Sequence, residues 1–261
     1  MGAEDSVEAA LSALRERLAA SGVPSPQVDA ELLARHVLGW SRARLLTSGD
    51  RPLPAPAARR LRELGERRAR REPLQLIVGS VGFRRLDLLV RPGVFIPRPE
   101  TEVLAGEAVA RTPPGGLVVE PCTGSGAVAC AVAHEAGCVV VATDSAPAAA
   151  SLARTNAARW GLPVKVVEGD LFEPLPAALR AKVDVVVCNP PYVAAGELAG
   201  LEPEVAEWDP APALVAGPTG HEVSDRVVAQ APSWLRPGGW LLLEVADTRA
   251  RAVAARCRAA G

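Results

Sequence analysis

The residues of this chain with most chemistry in them stand together as Asn189-Pro190-Pro191-Tyr192, directly after an apolar run, VDVVVC. An amide or exocyclic amine nitrogen is a poor nucleophile, because its lone pair is delocalised into a carbonyl or a ring. Alkylating it needs positioning and electrostatics more than a strong base. The Asn189 side-chain oxygen can accept one N–H of such a group and the Pro190 carbonyl the other, which aims the nitrogen lone pair at a methyl carbon. Both hydrogen bonds strengthen as the nitrogen gains positive character, so they stabilise the transition state selectively. Successive prolines stiffen the loop and hold the acceptors still. Tyr192, the only tyrosine, offers a ring face to a planar amide or base and to a sulfonium charge. Hydride transfer has no use for this arrangement.

A second constellation lies upstream. Glu120-Pro121-Cys122-Thr123-Gly124-Ser125-Gly126 precedes an Ala/Val-rich stretch. Glycines allow a sharp turn and a close backbone approach to a ligand, and the helix start presents free amides. Gly124 to Ala129 also satisfies the G-x-G-x-x-A dinucleotide pattern. Asp144, 20 positions after Gly124, suits a carboxylate that holds ribose hydroxyls. Asp170 and Leu171 follow the next strand and suit an adenine amino group and ring. Such a pocket serves NAD or S-adenosylmethionine (SAM). The Asn189 motif decides for SAM.

These residues need a scaffold that brings strand ends together. Strands are predicted at 117–120, 139–143, 164–168, 183–188 and 240–245, with helices between them, including 146–160 and 223–235. Short apolar strands alternating with helices predict a mostly parallel, doubly wound Rossmann-like sheet whose ligands bind beyond the carboxyl ends. A final helix at 249–260 after the fifth strand leaves a sheet edge exposed, which points to missing C-terminal strands. Upstream, Ser6 caps a helix with a Val7, Leu11, Leu14, Leu18 stripe, and a second helix carries Ala30, Leu33, Val37 and Leu38 as far as Gly39. A third, at 57–71, holds seven Arg against two Glu and reads as a solvated face or a contact for an acidic partner. The stretch 73–96 reads as a β-hairpin. The expected layout is a helical domain at 1–72, a hairpin linker at 73–98 and an α/β domain at 99–261.

Composition narrows the function. The 261 residues carry 29 basic and 30 acidic side chains, which suits neither a nucleic-acid coat nor a membrane-surface binder. The part after residue 71 is net acidic, so nucleic acid is not expected as a direct substrate. No apolar run reaches the roughly 18–20 residues of a membrane span, and no signal peptide is visible. Five cysteines without a C-x-x-C pair argue against a disulfide framework or zinc site and for the cytoplasm. His36, His134 and His221 lack metal-ligand spacing, and His221 stands in a loop after the reactive strand. Cys188 reads as a packed thiol. Trp208, Trp234 and Trp240 read as core or loop anchors. From the residues alone, the acceptor stays open between a protein glutamine, an adenine amine and a small molecule, and a degenerate binding module stays open beside these enzymes.

The chain resembles the HemK/PrmC-type protein-(glutamine-N5) methyltransferases along nearly its whole length. The resemblance rests on PLQLIVGSVGF, FIPRPETE at 95–102, CTGSG at 122–126, Asp144, NPPY at 189–192, LEPEV at 201–205 and WLRPGGWLLLEV at 234–245. It implies SAM-dependent methylation of the Gln in the Gly-Gly-Gln motif of peptide-chain release factors, by a monomer. By the same resemblance Cys122 to Gly126 would cradle the methionine end of SAM, with Glu120 reaching its amino group. Asp144 would bind the ribose and Leu171 would flank the adenine. Asn189, Pro190, Pro191 and Tyr192 would hold the glutamine. FIPRPETE would form a flap steadied by Arg98 and Glu100. Two departures stand out. The family's Asp-Leu-Gly before TGSG is Glu120-Pro121-Cys122 here, and its Glu-x-Gly-x-x-Gln reads Glu244-Val245-Ala246-Asp247-Thr248-Arg249. These suit a divergent branch.

Overall fold

The computed structural model describes residues 6–260. They fall into a helical unit that ends at Gly79 and an α/β unit that begins at Ser80. In the first, α1 (Val7–Ala20), α2 (Pro26–Leu38), α3 (Arg42–Leu46), α4 (Ala55–Ala69) and α5 (Leu74–Val78) follow one another. The Ser6 side chain accepts the Ala9 amide at 3.2 Å and caps α1. Its Val7, Leu11, Leu14, Leu18 stripe packs with Ala30, Leu33, Leu61 and Leu64 in one core. Gly39, at φ +64°, ends α2 in the left-handed cap that glycine adopts without strain. The arginine run of α4 turns partly inward. Arg68 is buried and donates to Asp29 at 2.6 Å, while Arg67 pairs with Glu72 and Arg60 with Glu63.

The boundary differs from the sequence expectation. Residues 74–78, expected in the hairpin, form helix α5, started after Pro73 and closed by Gly79 at φ +87°. Proline before a first turn and glycine after a last one outweigh the β-formers between them. The hairpin is shorter: β1 (Ser80–Phe83) pairs antiparallel with β2 (Leu86–Leu89).

The α/β unit continues through α6 (Thr101–Arg111), β3 (Leu117–Pro121), α7 (Ala127–Ala136), β4 (Val139–Asp144), α8 (Pro147–Arg159), β5 (Val164–Glu168) and β6 (Val183–Cys188). Then come β7 (Val193–Ala194), α9 (Pro203–Ala206), α10 (Ala211–Leu214), β8 (Val215–Gly217), α11 (Glu222–Gln230), β9 (Leu235–Leu243) and α12 (Asp247–Ala260). Five strands pair in parallel in the order β5-β4-β3-β6-β9, so the order reverses between β3 and β6. Alternate residues face opposite layers. Val118, Val140, Val185 and Val187 pack with Val128 to Ala133 of α7, and Val119, Val141, Val186 and Cys188 pack with Val227, Ala231 and Trp234. Two boundaries and the role of one residue are corrected. The helix expected at 223–235 ends at Gln230, because Pro232 removes an amide that a longer helix needs. The last sheet strand starts at residue 235, not 240. Trp240, expected as an anchor, is 51% exposed with Arg111 over its ring. Among the described residues β9 and β5 form the sheet edges.

One buried polar side chain ties these layers together. Asn156 of α8 accepts the Leu89 amide at 2.9 Å and donates to the carbonyls of Leu89 (3.1 Å) and Ser125 (2.9 Å). It thereby joins the hairpin to the glycine-rich turn. Asn156→Ala strands all three groups, and we expect it to cost about 2–4 kcal/mol in urea-induced unfolding. A loss below ~0.5 kcal/mol would show that the link is dispensable.

Candidate functional site

A cavity of about 250 Å³ opens where the strand order reverses, at the carboxyl ends of β3, β4 and β6. Of the residues singled out from the sequence, Glu120, Cys122, Thr123, Gly124, Ser125, Asp144, Asp170, Leu171, Asn189 and Pro191 line it. Gly126, Pro190 and Tyr192 do not. Gly126 sits beneath α8, where an added Cβ would stand 3.0 Å from that of Ala153. Pro190 is buried, and Tyr192 is half-buried beside Glu244.

The turn after β3 is built by hydrogen bonds to the next strand. The Thr123 amide donates to the Thr143 carbonyl at 3.0 Å and the Gly124 amide to Asp144 Oδ2 at 2.8 Å. Asp144 Oδ1 accepts the Ala146 amide at 2.9 Å, an Asx turn that leads into α8. The spacing noticed in the sequence is therefore a direct contact. Gly124 (φ +56°) and Gly126 (φ +81°) take the left-handed backbone that the turn needs, and Cys122 takes it at φ +58° without a glycine's freedom. Such a residue costs on the order of 1–3 kcal/mol and clusters at functional sites. Cys122 packs on the apolar layer that holds Cys188. Leu171, at φ +46°, is held by its carbonyl, which accepts the Thr143 hydroxyl at 2.6 Å.

Two carboxyls give the cavity its electrostatic character. Glu120 is 2% exposed, and its Oε2 accepts the Thr123 hydroxyl at 2.6 Å and the Ala129 amide at 2.9 Å. Burial still dominates and pushes it up to about 8, with the charge of Asp144 adding to the rise. Burial also raises Asp144, against the two backbone amides that hold it down. A buried acid of this kind is relieved by a cation brought against it, which fits an ammonium group, while the half-buried Asp144 beside it fits hydroxyl donors. SAM carries both. Asp170 is exposed enough to pair with Arg226, which also lines the cavity.

The far wall comes from residues 95–102 and from the end of β6. Phe95, Pro97 and Thr101 face the cavity. This segment is anchored by Asp209, whose side chain is fully buried. It accepts the Ile96 amide at 3.2 Å and pairs with Arg98, itself over the Phe95 ring. Arg98 steadies this segment through Asp209, whereas Glu100, expected to do the same, is exposed ahead of α6. Beyond Cys188, whose carbonyl accepts the Glu244 amide at 3.0 Å, Asn189 Nδ2 donates to Thr101 Oγ1 at 3.2 Å. Sequence reasoning missed Asp209, Asn156, Arg226 and the partnership of Thr101 with Asn189. An acid before a proline in a loop was the only signal for Asp209. His221 starts α11 outside the cavity lining. Among the described residues no group of three or more His, Cys, Asp or Glu side chains could hold a metal ion, and no helix is long and apolar enough to cross a membrane.

Comparison with known proteins agrees with this architecture. Residues 9–79 match the PrmC N-terminal domain and residues 88–201 the methyltransferase small domain. The release factor glutamine methyltransferase of Mycolicibacterium smegmatis is 48% identical over 92% of this chain and 84% of its own. That of Geobacter sulfurreducens is 40% identical over the same shares. The crystal structure of a methyltransferase from Pyrococcus furiosus superposes with a TM-score of 0.54 at 21% identity, over 75% of this chain and 87% of that one, a likeness of fold. A chain with these two domains and this identity along nearly its whole length belongs to the release factor glutamine methyltransferase family.

Proposed function

We propose that the chain transfers a methyl group from SAM to the side-chain amide nitrogen of a glutamine, that of the Gly-Gly-Gln motif in a peptide-chain release factor. The observation that carries this reading is Asn189, whose amide nitrogen is tied to Thr101 while the residue lines the same cavity as Asp144 and the glycine-rich turn. The names of the relatives supply the acceptor. The reaction belongs to the cytoplasm, where release factors act. The proposed active form is a monomer.

Bound in this cavity, SAM supplies an electrophilic methyl group on a sulfonium. The chain's own residues do the rest. Glu120 and the turn from Cys122 to Gly126 hold the amino-acid end, Asp144 the ribose hydroxyls, and Leu171 flanks the base. Asp170, paired with Arg226, lies at the rim by the adenine amino group. Asn189 Oδ1 and the Pro190 carbonyl each accept one N–H of the glutamine amide and fix its plane. Pro191 walls the acceptor side, and Tyr192 stands behind the amide. As that nitrogen becomes more positive, the two oxygens hold its protons more strongly.

Radiolabelled methyl transfer to a release factor, to its Gly-Gly-Gln Gln→Ala variant and to an adenine-containing duplex tests the acceptor. Label in the wild-type factor alone supports the proposal, and label in the duplex replaces it with adenine methylation. Asn189→Ala should lower transfer by at least 100-fold, the scale of a lost positioning and electrostatic contact. Its SAM affinity, followed by calorimetry, should stay within a few-fold. Near-wild-type turnover would refute the assigned role.

Glu120 adds a pH signature. Its folded form holds a proton up to about pH 8, whereas an exposed Glu in the unfolded chain releases it near 4.5. The stabilising contribution is complete below the lower value and is lost as pH rises toward the higher, at up to about 1.4 kcal/mol per pH unit. Between pH 6 and 8 the ligand-free protein should lose stability faster than Glu120→Gln. Parallel curves for the two proteins would mean that Glu120 is already ionised.

A further inference from the structure

At position 249 the pattern Glu-x-Gly-x-x-Gln has a glutamine and this chain has an arginine. Arg249 is the third residue of α12, in the first turn, where a positive charge opposes the helix dipole. Its side chain is nevertheless only 13% exposed. Burying a guanidinium is costly unless its donors are matched, so its partners carry the explanation.

One guanidinium grips both ends of the segment that follows Asn189-Pro190-Pro191-Tyr192. Strand β7 starts directly after Tyr192 and pairs in parallel with β8, at the far end of that segment. Just beyond β7, Arg249 Nη2 donates to both carboxylate oxygens of Glu197 at 2.9 Å, and Glu197 Oε2 also accepts the Ala194 amide at 3.0 Å. Just beyond β8, the Thr219 carbonyl accepts Arg249 Nε at 3.1 Å. Thr219 is itself fixed, because its amide and hydroxyl donate to Glu222 Oε1 at 2.8 and 2.9 Å. Next to it Gly220 turns at φ +78°, and a Cβ there would stand 2.7 Å from both the Tyr192 carbonyl oxygen and Arg249 Nε. The guanidinium and the Tyr192 backbone thus meet at a residue that has to be glycine. The middle of the segment is held separately, by Asp209 on Ile96 and Arg98.

We propose that Arg249 is a positioning residue: by clamping Glu197 and Thr219 together it fixes the backbone at Tyr192, and with it the loop from Asn189 to Tyr192 that holds the acceptor amide. Its role in turnover rests on the proposed glutamine methylation, but the clamp itself does not. None of Arg249, Glu197 and Thr219 lines the cavity, so the clamp acts on the acceptor motif and not on the methyl donor. A planar fork with donors on two sides holds two acceptors at once, which the point charge of a lysine does not. An ion pair whose carboxylate is half exposed adds little to global stability, so its effect is local.

Arg249→Met keeps the stem and removes the donors, and Glu197→Ala removes the carboxylate from the other side. On a release factor, we expect each to lower kcat about 5- to 20-fold, with SAM affinity within about twofold and the thermal midpoint little changed. Because both variants cut one link, the double variant should fall well short of the product of the two losses. Wild-type kcat in Arg249→Met, or losses that multiply in full, would overturn the proposal. A loss confined to SAM affinity or stability would overturn it too. Amide hydrogen exchange of the ligand-free protein, followed by mass spectrometry, reads the clamp without any acceptor. Peptides covering 190–198 and 217–221 should exchange about tenfold faster or more in Arg249→Met than in wild type, while those covering 140–146 keep their rate. Equal rates in the two proteins, or a rise that includes 140–146, would refute the clamp. If the release factor proves not to be the acceptor, these rates still decide whether Arg249 holds the loop, and the two failures stay separate.

Discussion

Parallel pairing is the constraint on which this site depends. In a parallel sheet every strand ends on the same side, and each pair's register decides which ends are level. Here Pro121 lies beside Thr143, Asp144 beside Glu168, and Cys188 beside Leu243. One step beyond those pairs stand Cys122, Gly169 and Asn189, each at the start of a loop. Since β3 and β6 are neighbours whose chains leave in opposite directions, the loops after them diverge and a crevice opens between. A slip of one residue in any pair would turn Asp144 or Asn189 to the other face.

The crevice is expensive to keep. It holds a buried carboxyl at Glu120, a second at Asp144, and left-handed backbone at Cys122 and Leu171. Each costs on the order of 1–3 kcal/mol unless partners offset it. The offsets lie close by: Ala129 and Thr123 on Glu120, Gly124 and Ala146 on Asp144, and Thr143 on the Leu171 carbonyl. The apolar layers on both faces of the sheet, rich in valine and alanine, supply the surplus that tolerates the remainder.

What the sequence made legible follows from range. Alternating strands and helices, the Gly124-to-Asp144 spacing and the Asn189 motif are short-range patterns, and the residues they mark reach the cavity or the loop beside it. Boundaries set by competition between neighbours were harder. Residues 74–78 contain β-formers but sit between Pro73 and Gly79, and the helix prevailed. The start of β9 was hidden by Pro237-Gly238-Gly239, which interrupts the apolar pattern: Leu235 faces Val183 and Trp240 faces Val185, with a register shift between them. Gly126 and Tyr192 were marked by motif but act one layer back, a distinction that spacing does not carry.

The partners that orient the marked residues were the least legible, because nothing local announces them. Thr101 meets Asn189 across 88 residues, Asp209 holds Ile96 across 113, and Asn156 holds Leu89 across 67. In each case a side chain with ordinary local context becomes decisive only when the sheet delivers it. Such links do two jobs at once: they satisfy a buried polar group, and they choose one of two nearly equal orientations for its partner.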